Sequence, residues 1–271
     1  MEADQERAGL EWQIGVWNRI ADIYLREVDP RFALVVENVI ARAELKSGQH
    51  VLDVGTGTGA VVEHAASMVG RQGRVLGVDI SPDMLALAQQ RLAGRGVVDV
   101  SLREGRAEAL PADDGTFDVV LASLSLMYVI DRGAAAREIA RVLQPQGRFV
   151  ASVWAGPDQC DIVLFQQTAG RFAGRPPVPG VGPGALADPS PFLRQLADAG
   201  IEARVETETL GFDFDDFASA WETLAGVTTA HLELERQREA KEAVMAAMYP
   251  HGDGPRHFRN VTQFIIGQLV R

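Results

Sequence analysis

Residues 51–60 read VLDVGTGTGA, and residues 75–81 read VLGVDIS. The first stretch sets a glycine-rich turn between an apolar strand and a helix. The second ends the next strand on an acidic residue, Asp79, twenty positions after Gly59. Glycines let a ligand approach the backbone, and a carboxylate at that place accepts two ribose hydroxyls. The pattern points to an α/β fold that grips a nucleoside. Gly55, Gly57 and Gly59 give G-x-G-x-G, and Ala60 stands where the dinucleotide fingerprint tolerates alanine, so the glycines alone leave a dinucleotide open. Asp53 is more telling. It sits just before the turn and aims a negative charge at the ligand crevice, where it would repel a pyrophosphate and attract an ammonium or sulfonium. Its other reading is a group that caps the helix or bonds the glycine turn.

Working outward, strand-like runs near 50–54, 74–79, 98–103, 117–122 and 147–154 alternate with helical runs near 58–69, 82–93 and 133–142. Such alternation implies right-handed crossovers and a mostly parallel sheet. The helix after Asp79 is well signalled, with Ser81 to cap it and Pro82 in its first turn. Ile80 and Met84 offer apolar surface for a flat base, although Met84 also reads as core filler.

Four segments, VLDVGTGTGA, GVDISPDMLALA, EGRAEALPADDGTFDVVLASLSLMYV and REIARVLQPQGRFVASVW, resemble in order and spacing the class I S-adenosylmethionine-dependent methyltransferases, closest in style to the ubiquinone/menaquinone C-methyltransferase-like small-molecule group. The likeness covers residues 48–155 and is loose elsewhere. It implies a doubly wound, mostly parallel seven-stranded Rossmann-like sheet with a helical cap. It also implies S-adenosylmethionine as cofactor, with S-adenosylhomocysteine as product. By position, Asp53 and the backbone of Gly55 and Gly57 would hold the methionine part, and Asp79 the ribose. Ile80 and Met84 would sandwich the adenine, Ala107 and Glu108 would lie along its edge, and Ser123 and Leu124 would sit beneath the methyl. Two positions depart from the family pattern. Arg106 replaces the usual acidic residue before that alanine, and a guanidinium has no acceptor for an adenine amino group. A backbone carbonyl or Glu108 then takes over, or Arg106 stacks on or swings away from the base. Gln146 alters a turn in which Gly147 is expected to supply the flexible position.

The whole chain of 271 residues reads as one methyltransferase domain, with an N-terminal helical lid (1–45), a cofactor core (46–155), and cap helices and final strands (156–271). Its 26 basic and 37 acidic residues leave a net charge of −11, which disfavours nucleic acid and anionic membranes as partners. One cysteine, Cys160, excludes an internal disulfide framework. No run approaches the roughly 18 apolar residues of a membrane span, and the polar N-terminus is unlike a signal peptide. A cytoplasmic enzyme, monomer or homodimer, acting on a small molecule without a metal is the expectation.

The flanks should choose the acceptor. WQIGVWNRIADIY places Trp12, Trp17, Ile20 and Tyr24 near one helical face, either over the cofactor or against the sheet edge. A Pro/Gly-rich segment at 175–191 reads as a loop or mobile cover. Helices are expected near 158–172 and 190–199, then a strand ARVETETLGF, then helices DDFASAWETLAG and TTAHLELERQREAKEAVMAAM, and a last strand VTQFIIGQLV. The helices between those strands would form the cap. Trp17, Tyr128, Trp154 and Trp221 are the pocket candidates, with Phe165, Phe212, Phe214, Phe217, Met245 and Met248 reading as core or pocket. A general base is needed only if the acceptor must lose a proton. Tyr128 and His231 are the weak candidates. His251 and His257 fall in the YPHGDGPRHFRN loop, where Arg256 and Arg259 could meet an anionic acceptor; His50 and His64 read as structural. The expected reaction is in-line methyl transfer to an apolar or aromatic metabolite. The alternative is a non-methylating cyclase or decarboxylase-like enzyme on the same fold. A pseudo-cofactor-binding protein and a dehydrogenase stand further off.

Overall fold

A computed structural model describes residues 3–93, 99–174 and 177–270. Seven strands form one sheet: β1 His50–Val54, β2 Arg74–Asp79, β3 Val100–Glu104, β4 Phe117–Ser123, β5 Leu143–Trp154, β6 Ile201–Phe214 and β7 Arg256–Leu269. Their spatial order is β3-β2-β1-β4-β5-β7-β6. The first five run parallel, and β7 is antiparallel to both β5 and β6. The order reverses at β1, between β2 and β4, which is where an open α/β sheet offers a ligand crevice outside the carboxyl ends of its strands.

Helices cover both faces. They are α1 Ala3–Ile23, α2 Ala33–Ala43, α3 Ala60–Val69, α4 Pro82–Ala93, α5 Arg132–Val142, α6 Asp161–Gly170, α7 Ser190–Asp198, α8 Phe217–Leu224 and α9 Leu234–Met248. With both faces covered, β1 and β4 are apolar on successive residues rather than alternating, and Val51, Leu52, Val120 and Leu121 are fully buried. α8 and α9 lie between β6 and β7 in sequence, and α9 packs on α6.

Several expectations change. Residue 98, given to the third strand, and residues 175–176, given to the Pro/Gly loop, lie outside the described residues. β5 starts at Leu143 rather than 147, and the left-handed residue of its turn is Gln146 at φ 62°, not Gly147. β7 begins five residues before the expected VTQFIIGQLV, so His257 and Arg259 stand on a strand instead of a loop. Phe258 and Asn260 face inward while His257 and Arg259 are exposed, the two-residue alternation of a half-solvated antiparallel strand. The long helix that His231 was expected to begin starts at Leu234, three residues later. α1 continues into a π-helical turn at Tyr24–Val28, a type of irregularity found often at functional sites.

Candidate cofactor site and adjoining chambers

The glycine turn leaves β1, and its backbone is held to the neighbouring strand: Gly55 and Thr56 donate to Val78 O at 2.8 and 3.0 Å. A Cβ on Gly55 would come within 2.4 Å of the Ser125 side chain, so the loop after β4 approaches too closely for any other residue. Gly57, at φ 53°, would send a Cβ into open space. Asp79 ends β2 beside this turn. Its Oδ2 accepts from Gly57 N–H at 2.8 Å and its Oδ1 from Ser81 N–H at 2.9 Å. Burial pushes its carboxyl up from the usual range.

A cavity with about 820 Å³ of empty space, part of it open to solvent, lies over the turn. Its walls include Tyr24, Gly55, Gly57, Asp79, Ile80, Met84, Ala107, Glu108, Ser123 and Leu124. The structure thus brings together ten of the eleven expected cofactor residues. Asp53 is the eleventh, and it is placed differently: it is buried beneath the turn and does not line the cavity. Neither of its carboxylate oxygens makes a hydrogen bond of ordinary geometry to a described residue, the Thr56 hydroxyl being the side chain that pulls on it. Burial, then the nearby charge of Asp79, raise it to about 7, against the pull of the Thr56 side chain.

Arg106 does not face away. It lines the cavity, pairs with Glu6 of α1, and lies 3.6 Å from Glu108 Oε2. The sequence reading missed Leu10, Gln13 and Ser125, which also line the cavity. Leu10, Gln13 and Trp17 are three and four residues apart on α1, so helical spacing back from Trp17 is the signal that finds the first two. Gln13 Nε2 donates to Tyr128 O at 2.8 Å, which fixes α1 against the loop after β4. At the far end, Asp29 accepts from Thr58 Oγ1 and from Arg91 Nη1 at 2.9 Å, tying the N-terminal segment to the glycine turn.

Two further chambers adjoin. The inner one, about 540 Å³, includes Phe32, Met127, Trp154 and Leu224 in its walls. The outer one, about 980 Å³, lies among α1, α6 and the segment Gly180–Ala185, with His231 at its wall. Trp17 and Tyr128 line both chambers and the cofactor cavity, their rings edge-to-face at 4.8 Å. Leu124, at φ 53° in the left-handed region, separates the cavity from the inner chamber. Burial raises the phenols of Tyr24 and Tyr128, so both stay protonated.

Other candidates fall away from these spaces. Trp221 packs on Phe165 and Phe217 and lines no chamber. Phe165, Phe214 and Phe258 are fully buried core. Arg256 donates to Met248 O and to Asp161 Oδ1 at 3.2 Å, so it braces β7 against α6 rather than meeting an acceptor. His257 pairs with Asp213 on β6. Burial pushes the Cys160 thiol up to about 12, unfit for a nucleophile. Among the described residues no helix is long and apolar enough to cross a membrane, and no three metal-ligating side chains cluster.

The family profile described as a methyltransferase domain matches residues 52–151, the stretch that carries the glycine turn and Asp79. A ubiquinone/menaquinone biosynthesis C-methyltransferase of Marinomonas sp. is 31% identical over 174 residues, 64% of this chain and 67% of that protein. This chain belongs to the class I S-adenosylmethionine-dependent methyltransferases. The demethylmenaquinone methyltransferase of Lactiplantibacillus plantarum is 40% identical over 124 residues, 45% of this chain and 52% of that protein. The chain thus spans two thirds of the length of the first relative and about half that of the second. The YcgJ protein of Bacillus subtilis shares the fold with a TM-score of 0.65 at 19% identity, covering 88% of this chain and 98% of its own. S-adenosylmethionine is the family's cofactor, and the open backbone at Gly57 beside the Asp79 carboxyl, with a second carboxyl, Asp53, buried beneath the turn, suits a cationic ligand with an adenosyl group.

Proposed function

We propose that this methyltransferase moves the methyl group of S-adenosylmethionine to an uncharged, apolar or aromatic small molecule held in the chambers behind Trp17 and Tyr128. The observation that carries this reading is the chemistry of their walls: among the described residues, none lining either chamber is Asp, Glu, Lys or Arg. An ionised acceptor buried there without a counter-charge would lose several kcal/mol of solvation.

Asp79 would hold the ribose hydroxyls, and the buried Asp53 carboxylate would favour the ammonium group by its charge from beneath the turn, without contact. Ile80 and Met84 would flank the adenine, with Ala107 and Glu108 along its edge. The cofactor would supply a sulfonium methyl, transferred in line as the C–S bond breaks to neutral sulfur and the new bond forms, and the uncharged acceptor would shed one proton to solvent to give a neutral product. The protein's part is alignment and exclusion of water. Trp17 and Tyr128 stand at the junction of cavity and chambers, and Tyr24 and Leu124 complete the partition towards the inner one. The raised phenols of Tyr24 and Tyr128 make them hydrogen-bond donors to an acceptor oxygen, not bases. His231 is the imidazole on the outer wall, away from the cofactor cavity.

The test is transfer of labelled methyl from S-adenosylmethionine to a cell extract, followed by separation of neutral, organic-soluble products from charged ones. Label should enter the neutral fraction. Val181→Asp, which places a carboxylate in the outer chamber, should abolish it while S-adenosylhomocysteine still binds. Label confined to the charged fraction would overturn the acceptor class. Tight cofactor binding with no labelled product would favour the non-methylating alternative.

A further inference from the structure

α1 crosses the cofactor cavity without joining the main core. Its buried residues Ile20 and Ala21 pack with Met84 in a separate small apolar cluster, joined by Trp17, Leu87 and Val227. A helix seated on a satellite cluster lifts without unpacking the sheet. What fastens it at the rim of the cavity is polar. Gln13 donates to Tyr128 O at 2.8 Å, and Ser81 Oγ donates to Asn18 Oδ1 at 2.6 Å. The third tie is ionic. Glu6 meets the Arg106 guanidinium, which lies beside Glu108, and Glu108 Oε1 accepts from the N–H groups of Ile130 and Asp131 at 3.1 and 3.3 Å. A carboxylate–guanidinium–carboxylate bridge thus runs from the lid to the loop after β4, and its middle member is itself part of the cavity wall.

We propose that Arg106 is a positioning residue that couples cofactor retention to closure of the N-terminal helix. Through Glu6 and Glu108 it holds α1 across the mouth of the cavity, so a bound cofactor leaves only when this bridge opens. The proposal rests on the cavity being the S-adenosylmethionine site. It gives the arginine at this position a task that an acidic residue could not perform, since a carboxylate there would face Glu6 and Glu108 with like charge. Because the bridge is partly exposed, salt weakens it, and release should quicken with ionic strength.

The experiment follows release of S-adenosylhomocysteine by stopped-flow tryptophan fluorescence at roughly 0.02 M and 0.5 M salt, conditions that differ several-fold in screening length. It uses the full chain and the variants Arg106→Met, Arg106→Lys, Glu6→Gln and the Glu6→Gln/Arg106→Met pair. Wild type should release about fivefold faster at high salt. Arg106→Met should release at the fast rate in both conditions, Arg106→Lys should keep the salt dependence, and Glu6→Gln should add nothing to Arg106→Met. Release by Arg106→Met that matches wild type at low salt, or that stays as salt-dependent as wild type, overturns the proposal. A lowered melting temperature with unchanged release assigns Arg106 a merely structural part and overturns it as well. If wild type binds no S-adenosylhomocysteine at all, the cofactor reading itself fails, a result distinct from binding with unaltered release.

Discussion

The candidate cofactor cavity and the chambers proposed for the acceptor share two walls, Trp17 and Tyr128, yet they are built by opposite means. The cavity takes its key groups from the ends of consecutive parallel strands: the turn after β1, Asp79 at the end of β2, Ala107 and Glu108 after β3, Ser123 and Leu124 at the end of β4. Its polar groups have backbone partners a few residues away in space, and the sheet register sets their spacing. The chambers take theirs from α1, α6, the segment Gly180–Ala185 and the turn before α9, with apolar packing in place of polar coordination. One site is specified by charge and hydrogen bonds, the other by shape. Substitutions in the first should therefore change affinity steeply, and substitutions in the second should change what is methylated.

The largest effect tests the polar site. Asp79→Ala removes the carboxylate proposed for the ribose and leaves Gly57 N–H without its acceptor. Hydrogen bonds to a charged group contribute about 1.5–3 kcal/mol each, so affinity for S-adenosylhomocysteine should fall at least about tenfold. Calorimetric titration beside a thermal melt checks this. Unchanged affinity in a folded protein would remove Asp79 from the site and erase the contrast between the two regions.

A second effect follows from Asp53. The folded protein holds a proton on this carboxyl up to about pH 7, well above the ordinary value of 3.8. The unfolded chain gives that proton up at lower pH. Stability of the free protein should therefore fall as pH rises from about 4 to 7 and level off above. Cofactor affinity should run the other way. An ammonium group favours the ionised carboxylate, so affinity should rise up to about tenfold per pH unit below 7 and flatten above it. Titrations with S-adenosylhomocysteine at several pH values should show this step, and Asp53→Asn should lose it. A step that persists in Asp53→Asn would assign the titration to another group, Asp79 being the nearest carboxyl raised in the same direction.

The same contrast explains what the sequence discloses. Gly55, Gly57 and Asp79 belong to one strand–turn–helix–strand unit, in which chain order dictates position in space, so they reach the cavity, while Asp53 on the same strand lies buried beneath the turn. Arg106 was visible as a departure, but its partner Glu6 lies 100 positions away, and no local pattern announces that pairing. The start of β7 was hidden because Gly252, Gly254 and Pro255 signal a turn just before it. The charged residues of RHFRN there mark the solvent face of an antiparallel strand, not a loop. Chamber residues were least legible of all: a tryptophan facing a cavity and one facing the core have the same apolar surroundings in sequence.

Trp221 and Trp154 make that last point testable, and with the smallest functional effect. Both are tryptophans offered by the sequence as candidates for the acceptor pocket. Trp154, at the end of β5, lines the inner chamber, while Trp221 on α8 spends its ring on Phe165 and Phe217. Trp221→Phe should cost stability on the order of 1–3 kcal/mol through lost packing and leave both S-adenosylhomocysteine affinity and the set of labelled products as in wild type. Trp154→Phe removes comparable volume but enlarges the inner chamber, so the labelled products should change. The pair separates shape at the acceptor site from packing beside it, with a thermal melt and product chromatography as the two readouts. If Trp221→Phe altered the products and Trp154→Phe did not, the inner chamber would not be where the acceptor sits.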